Sequence, residues 1–85
     1  MYKIKIQKQV AKKLKNLNAL DRLRITNKIM ELSWDLDSTQ LDTKKLVGND
    51  YWRLRVGSWR IIYKKDDVLK LLYIEQLKPR GDVYK

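Results

Sequence analysis

Arg53, Arg55 and Arg60 stand in the run WRLRVGSWRIIY of residues 52–63, the stretch of this chain best suited to chemistry. Apolar and polar residues alternate at period two on both sides of Gly57-Ser58. That is the pattern of a β-hairpin with a two-residue turn. In that pairing Val56 faces Trp59, Arg55 faces Arg60, Leu54 faces Ile61 and Arg53 faces Ile62. Trp52, Leu54, Val56, Trp59, Ile61 and Tyr63 share one face, and the three arginines share the other. Like charges directly opposite each other destabilise a hairpin. A cost of that kind points to an anionic ligand. Guanidinium forks on a small rigid sheet match phosphate oxygens. Arginines on the outer face of a sheet also serve merely to keep a protein soluble, so the rest of the chain must decide between the two roles.

The missing residue types narrow the chemistry. The chain has no cysteine and no histidine. This excludes disulfide frameworks, thiol chemistry and the usual zinc sites. It also excludes histidine as a general base, and with it a histidine-pair ribonuclease or a Ser-His-Asp hydrolase. The only glycines are Gly48, Gly57 and Gly81, so there is no glycine-rich phosphate loop. Any catalysis must use Arg, Lys, Tyr or a carboxylate. No metal and no other cofactor is expected.

Twenty basic residues against ten acidic ones leave a net charge of +10. That balance predicts attraction to polyanions: nucleic acid, the ribosome, an acidic partner or an anionic membrane surface. The 85 residues are expected to form one domain, 1–85, and 44% of them are hydrophobic, enough for a globular fold. No apolar run is long enough to span a membrane. The start, MYKIKIQKQV, alternates where a signal peptide would need an apolar block, so the cytoplasm is the expected compartment.

The elements that must position the arginines follow from the periodicities. Tyr2, Ile4 and Ile6 alternate with Lys3, Lys5 and Gln7, which predicts a first strand. Val10, Ala11, Leu14 and Leu17 recur at helical spacing from Lys8 to about Leu17, with Lys8, Lys12, Lys13 and Lys15 read as a solvated face. A second helix is predicted from about Ala19 to Ser33, on Leu20, Leu23, Ile25, Ile29, Met30 and Leu32. Trp34 is expected to cap the core at its end. The polar stretch Asp35 to Thr43 reads as a loop, and Lys44 to Val47 as a short strand ending at Gly48. After the hairpin, Lys65-Asp66-Asp67 reads as a turn. Val68 to Gln76 reads as a central strand, apolar almost throughout, which Pro79 ends. Tyr2, Tyr51, Tyr63 and Tyr73 are expected to be structural. Arg80-Gly81-Asp82 would be a turn and Val83-Tyr84 would close the chain. The order β-α-α-β-β-β, with a further short strand possible, predicts an α+β fold. Its two N-terminal helices pack on one face of a small, mainly antiparallel twisted sheet, and the arginines lie on the face left open.

The runs KKLVGNDYWRLRVGSWRIIY and LKPRGDVYK, in this element order, resemble the RelE/ParE toxin superfamily of type II toxin–antitoxin systems. The resemblance spans essentially the whole chain and implies a RelE-like, microbial-ribonuclease type of fold. In the RelE branch it implies a metal-independent endoribonuclease that cleaves messenger RNA in the ribosomal A site. In the ParE branch it implies a poison of DNA gyrase. Either branch implies a cognate antitoxin partner, RelB-like here, with an acidic segment. RelE-type sites use basic residues on the hairpin strands, another near the end of the last strand and a tyrosine close to the C-terminus. These fall on Arg53, Arg55, Arg60, Lys78 or Arg80, and Tyr84, which favours the RelE branch.

The implied reaction is attack of an RNA 2′-hydroxyl on its own 3′-phosphodiester. Arg60 would stabilise the phosphorane charge. Arg53 and Arg55, with Lys44 and Lys45, would hold the RNA backbone. Lys78 or Arg80 would donate to the leaving 5′-oxygen, and Tyr84 would stack on a base or take the 2′-proton. Well-studied RelE members carry lysines at the positions of Arg53 and Arg55. Phosphate clamping survives that change, but arginine makes a poor general base. The competing expectations are a ParE-type gyrase inhibitor, a non-catalytic RNA- or ribosome-binding module, and a chain that binds only its antitoxin.

Overall fold

The structure, a computed structural model, describes residues 1–79. Arg80, Tyr84 and the closing turn and strand expected around them lie outside the described residues. The elements in chain order are β1 (Lys3–Ile6), α1 (Lys8–Asn16), α2 (Ala19–Trp34), β2 (Asp42–Lys45), β3 (Trp52–Val56), β4 (Trp59–Asp66) and β5 (Leu71–Pro79). The strands form one sheet in the order β1-β5-β4-β3-β2. β1 runs parallel to β5, and every other pair is antiparallel. Two helices on a mainly antiparallel sheet is the α+β architecture that the periodicities predict.

The core lies between the helices and one sheet face. Leu54, Ile61, Tyr63, Leu72, Ile74 and Leu77 come from the sheet, Val10 and Leu14 from α1, and Ile25, Ile29 and Leu32 from α2. Each fully buried aliphatic side chain stabilises the fold by roughly 1.5–3 kcal/mol relative to exposure. Val10 and Leu14 sit one turn apart, so α1 docks by a single stripe. At the start of α2 the Asn18 side chain accepts the Asp21 amide at 2.8 Å, satisfying one of the helix's unpaired donors.

Several sequence expectations need correction. Strand β2 begins at Asp42, inside the stretch expected to be loop, and ends at Lys45; Val47 is outside it and 96% exposed. The segment Val68 to Lys70 is not strand. Asp66 accepts the amides of Val68 and Leu69 at 3.0 and 2.9 Å, and Lys70 takes a positive φ of 57°. The side-chain cap folds a turn there, so Val68 and Leu69 face solvent in spite of their strand propensity. β5 starts at Leu71 and continues past Gln76 to Pro79, which pairs with Trp59. Trp34 does not cap the core. It is 68% exposed, and the apolar residues of α2 divide between two sides of the helix.

Candidate functional site

The hairpin forms in the expected register. Arg55 pairs with Arg60, Leu54 with Ile61 and Arg53 with Ile62. Gly57 holds the turn at φ 59°, a left-handed conformation that costs a residue with a Cβ. Leu54 and Ile61 are fully buried on the helix side. The neighbouring positions Arg53, Arg55 and Arg60 must therefore take the other face.

Strand β5 brings a fourth cation to that face by way of a bulge. Ile62 pairs with Gln76 but Tyr63 pairs with Ile74, so Glu75 is an extra residue. Ile74 and Leu77 are both buried, although they are three residues apart. Strict alternation from Leu72 and Ile74 would put Lys78 on the core side. The bulge shifts the phase by one, and Lys78 lands opposite Arg60 on the arginine face. Arg55, Arg60 and Lys78 thus form one row across β3, β4 and β5.

The row continues on β2 with a residue that sequence reasoning missed. Asp42 pairs in register with Arg55. Its carboxylate accepts from an Arg53 terminal nitrogen at 2.9 Å and lies 3.9 Å from Arg55 Nε. One acid therefore serves two arginines, while being half exposed itself. The polar run around it carries no alternation that marks a strand starting at Asp42, so periodicity does not reveal it.

Burial differs along the row. Arg60 is only 5% exposed, whereas the Arg55 side chain is 37% exposed. A guanidinium held among cationic neighbours and shielded from water exerts a stronger field than one in bulk solvent. Lys44 pairs with Arg53 and belongs to the next row of the same face. Lys45 pairs with Trp52 on the opposite side, and its ammonium is held by the Asn49 carbonyl, so the fold keeps it out of the cluster.

The lysines of α1 are closer to the site than a solvated helix face implies. β1 pairs only with residues 71–74 of β5, which leaves the rest of that edge to α1. There Lys13 Nζ donates to the Leu77 carbonyl at 3.2 Å. A cavity of about 230 Å³ between Lys13, Gln76 and Lys78 adjoins the row. A larger groove of about 510 Å³ runs between Lys8, Lys12, Tyr51 and Gln76. Helical spacing alone does not reveal this, because the groove depends on which strand α1 borders.

The tyrosines divide. Tyr63 is buried on the core side, and burial pushes its phenol from 10.0 up to about 12. Its position and its pKa both disqualify it as a base at neutral pH. Tyr51 and Tyr73 instead flank the Lys64 ammonium, at 6.0 and 5.6 Å from the ring centres. Tyr2 donates to Asp67 at 2.5 Å, which raises the Tyr2 pKa and lowers that of Asp67.

A family model described as the ParE toxin of type II toxin–antitoxin system, parDE, matches residues 4–80. The chain belongs to the RelE/ParE toxin superfamily. Its fold superposes on the toxin of an archaeal RelE–RelB complex from Pyrococcus horikoshii OT3 with a TM-score of 0.83 and 34% identity, over 94% of this chain and 96% of that one. The RelB–RelE antitoxin–toxin complex from Methanococcus jannaschii gives 0.74 and 27%, over 93% of each chain. The intact Escherichia coli RelBE complex shares the fold at 0.78 with only 17% identity, over 93% of this chain and 96% of that one. No curated protein matches the sequence. Among the described residues of this RelE/ParE toxin, no helix is long and apolar enough to cross a membrane.

Proposed function

We propose that this toxin is a RelE-type, ribosome-dependent endoribonuclease that inhibits translation by cleaving messenger RNA in the A site, without a metal. The observation that carries the reading is the row of Arg55, Arg60 and Lys78 on three adjacent strands. A phosphodiester laid across that row meets a cation at each position where charge develops. The 2′-oxygen attacks phosphorus, the bond from phosphorus to the 5′-oxygen breaks, and the products are a 2′,3′-cyclic phosphate and a 5′-hydroxyl. Arg60, the most shielded of the three, stabilises the equatorial phosphorane oxygens. Arg53 and Arg55 hold the backbone, with Lys44 beside them. Lys78 donates a proton to the departing 5′-oxygen, a role Arg80 would share. Tyr84 stacks on a base or accepts the 2′-proton.

Arginines cannot serve as bases, and no histidine is present to take that part. A site with such weak acid–base power depends on geometry, which the ribosome supplies. Little cleavage of free RNA is expected. The partners in this reading are the ribosome, its message and a RelB-like antitoxin whose acidic segment neutralises the cationic face. The matched archaeal chains come from RelE–RelB complexes, which supports the antitoxin.

The ParE description of the matching family favours a second reading, a gyrase poison on the same scaffold. Primer extension on a defined message in a purified translation system separates the two. Cuts in the A site that require ribosomes, and that Arg60→Ala abolishes, support the nuclease. Intact message together with trapped gyrase cleavage complexes would overturn it.

A further inference from the structure

The outer side of α2 carries an apolar seam that the monomer leaves uncovered. Leu20, Leu23, Met30 and Trp34 are 51–68% exposed. With the exposed Asn27 they follow the spacing 20, 23, 27, 30, 34. Those alternating steps of three and four are the a and d positions of a coiled coil. Ile25, Ile29 and Leu32 point the other way, into the core. Contiguous large apolar side chains on a soluble surface mark an interaction site.

We propose that this seam pairs α2 with α2 of a second copy of the chain, antiparallel, about a two-fold axis near residues 28 and 29. In that register Leu23 meets the partner's Trp34, and Asn27 meets the partner's Met30. The two asparagines lie either side of the two-fold axis, offset by about 4.5 Å along the helix, within reach of each other. Arg24 and Glu31 both occupy e positions, and antiparallel packing sets each beside the other's counterpart. The seam is thus self-complementary in charge as well as apolar. Glu31 already faces Lys28 at 3.4 Å, an exposed pair weak enough to be shared. α2 carries Arg22, Arg24 and Lys28 against Asp21 and Glu31, so it is nearly neutral in a chain of net charge +10. A strongly acidic partner gains most on the sheet face; a copy of α2 gains most here. One pair of 16-residue helices is small beside the ~1,200 Å² of a stable interface, so dissociation in the micromolar range is expected.

Sedimentation equilibrium of the purified full chain at rising micromolar concentrations tests this. A monomer–dimer equilibrium is expected. Leu23→Glu with Met30→Glu abolishes it at every concentration while leaving the melting temperature unchanged, because both side chains are exposed. Arg24→Glu weakens the dimer roughly tenfold by turning two attractive pairs repulsive, and adding Glu31→Arg restores it. A chain that stays monomeric overturns the proposal, as does a dimer unmoved by the Leu23 and Met30 changes, or a charge swap without restoration. Loss of binding to the cognate antitoxin in the Leu23/Met30 variant of a monomeric chain would assign the seam to that partner instead.

Discussion

Strands β3, β4 and β5 present two faces that differ in every respect except backbone. On one, Leu54, Ile61 and Leu77 lie side by side, at most 1% exposed, under two helices. On the other, one residue along each strand, Arg55, Arg60 and Lys78 lie side by side with Asp42 at the end. The first face gains free energy from contact. The second places like charges opposite each other, which costs free energy. The difference shows a division of labour. The apolar row holds the strands in a register that the cationic row would not choose, and under the proposed function it thereby preorganises cations for an anionic ligand.

The strongest way to break that comparison is to weaken the apolar side. Leu54→Ala removes a fully buried side chain and is expected to cost about 2–5 kcal/mol, read as a large fall in melting temperature. The ribosome-dependent cleavage proposed for this chain should vanish with the fold. A variant that melts at the parent temperature would mean that the helices do not anchor β3.

Next comes the cationic side. Arg60→Met keeps the apolar stem and removes the charge. Cleavage is expected to fall by about 10²–10³, the usual loss for one preorganised donor. The fall in melting temperature should stay well below that of Leu54→Ala, because the apolar stem is kept and no core side chain is lost. If stability falls as far as it does in Leu54→Ala, Arg60 is a structural residue and the two faces are not divided in this way.

How far the two faces were legible depends on what set them. The hairpin register follows from strict alternation around Gly57-Ser58, so the placing of Arg53, Arg55 and Arg60 was readable. Lys78 reaches the same face only through the bulge at Glu75; family resemblance could point to it, whereas a period of two puts it on the wrong side. Asp42 was missed because the polar run before Thr43 gave no sign that a strand starts within it. Val68 and Leu69 were misread because the Asp66 side chain outcompetes their strand propensity. α2 misled in another manner: its two apolar sides merge into one list when only composition along the helix is considered. In each case a local side-chain contact or a tertiary neighbour decided, and neither is visible in periodicity.

Asp42 offers a finer test of the cationic side. It lies between Arg53 and Arg55, where the proposed function would have a phosphate held. Asp42→Ala should free both guanidiniums and tighten binding to single-stranded RNA by a few fold. It should also steepen the salt dependence by up to about 0.7 in log–log slope for each added phosphate contact. Fluorescence anisotropy at several salt concentrations reads both quantities. An unchanged slope would mean that the carboxylate does not compete with phosphate.

The smallest expected effect returns to the apolar side and concerns pH. Tyr63 stacks on Trp52 at 6.4 Å in the core, and burial lifts its phenol from 10.0 to about 12. The fold therefore favours the neutral phenol. The stability this contributes is complete below the ordinary value near 10 and is lost as pH climbs through about 12. The parent should lose stability across that window, and Tyr63→Phe, which cannot ionise, should lose less. Subtracting one denaturation series from the other removes the lysines and the remaining tyrosines, which both proteins share. Equal slopes would mean that Tyr63 ionises in the folded chain as readily as in the unfolded one. Water would then reach the apolar face beneath Lys44 and Arg53, and the separation between the two faces would fail at that end of the sheet.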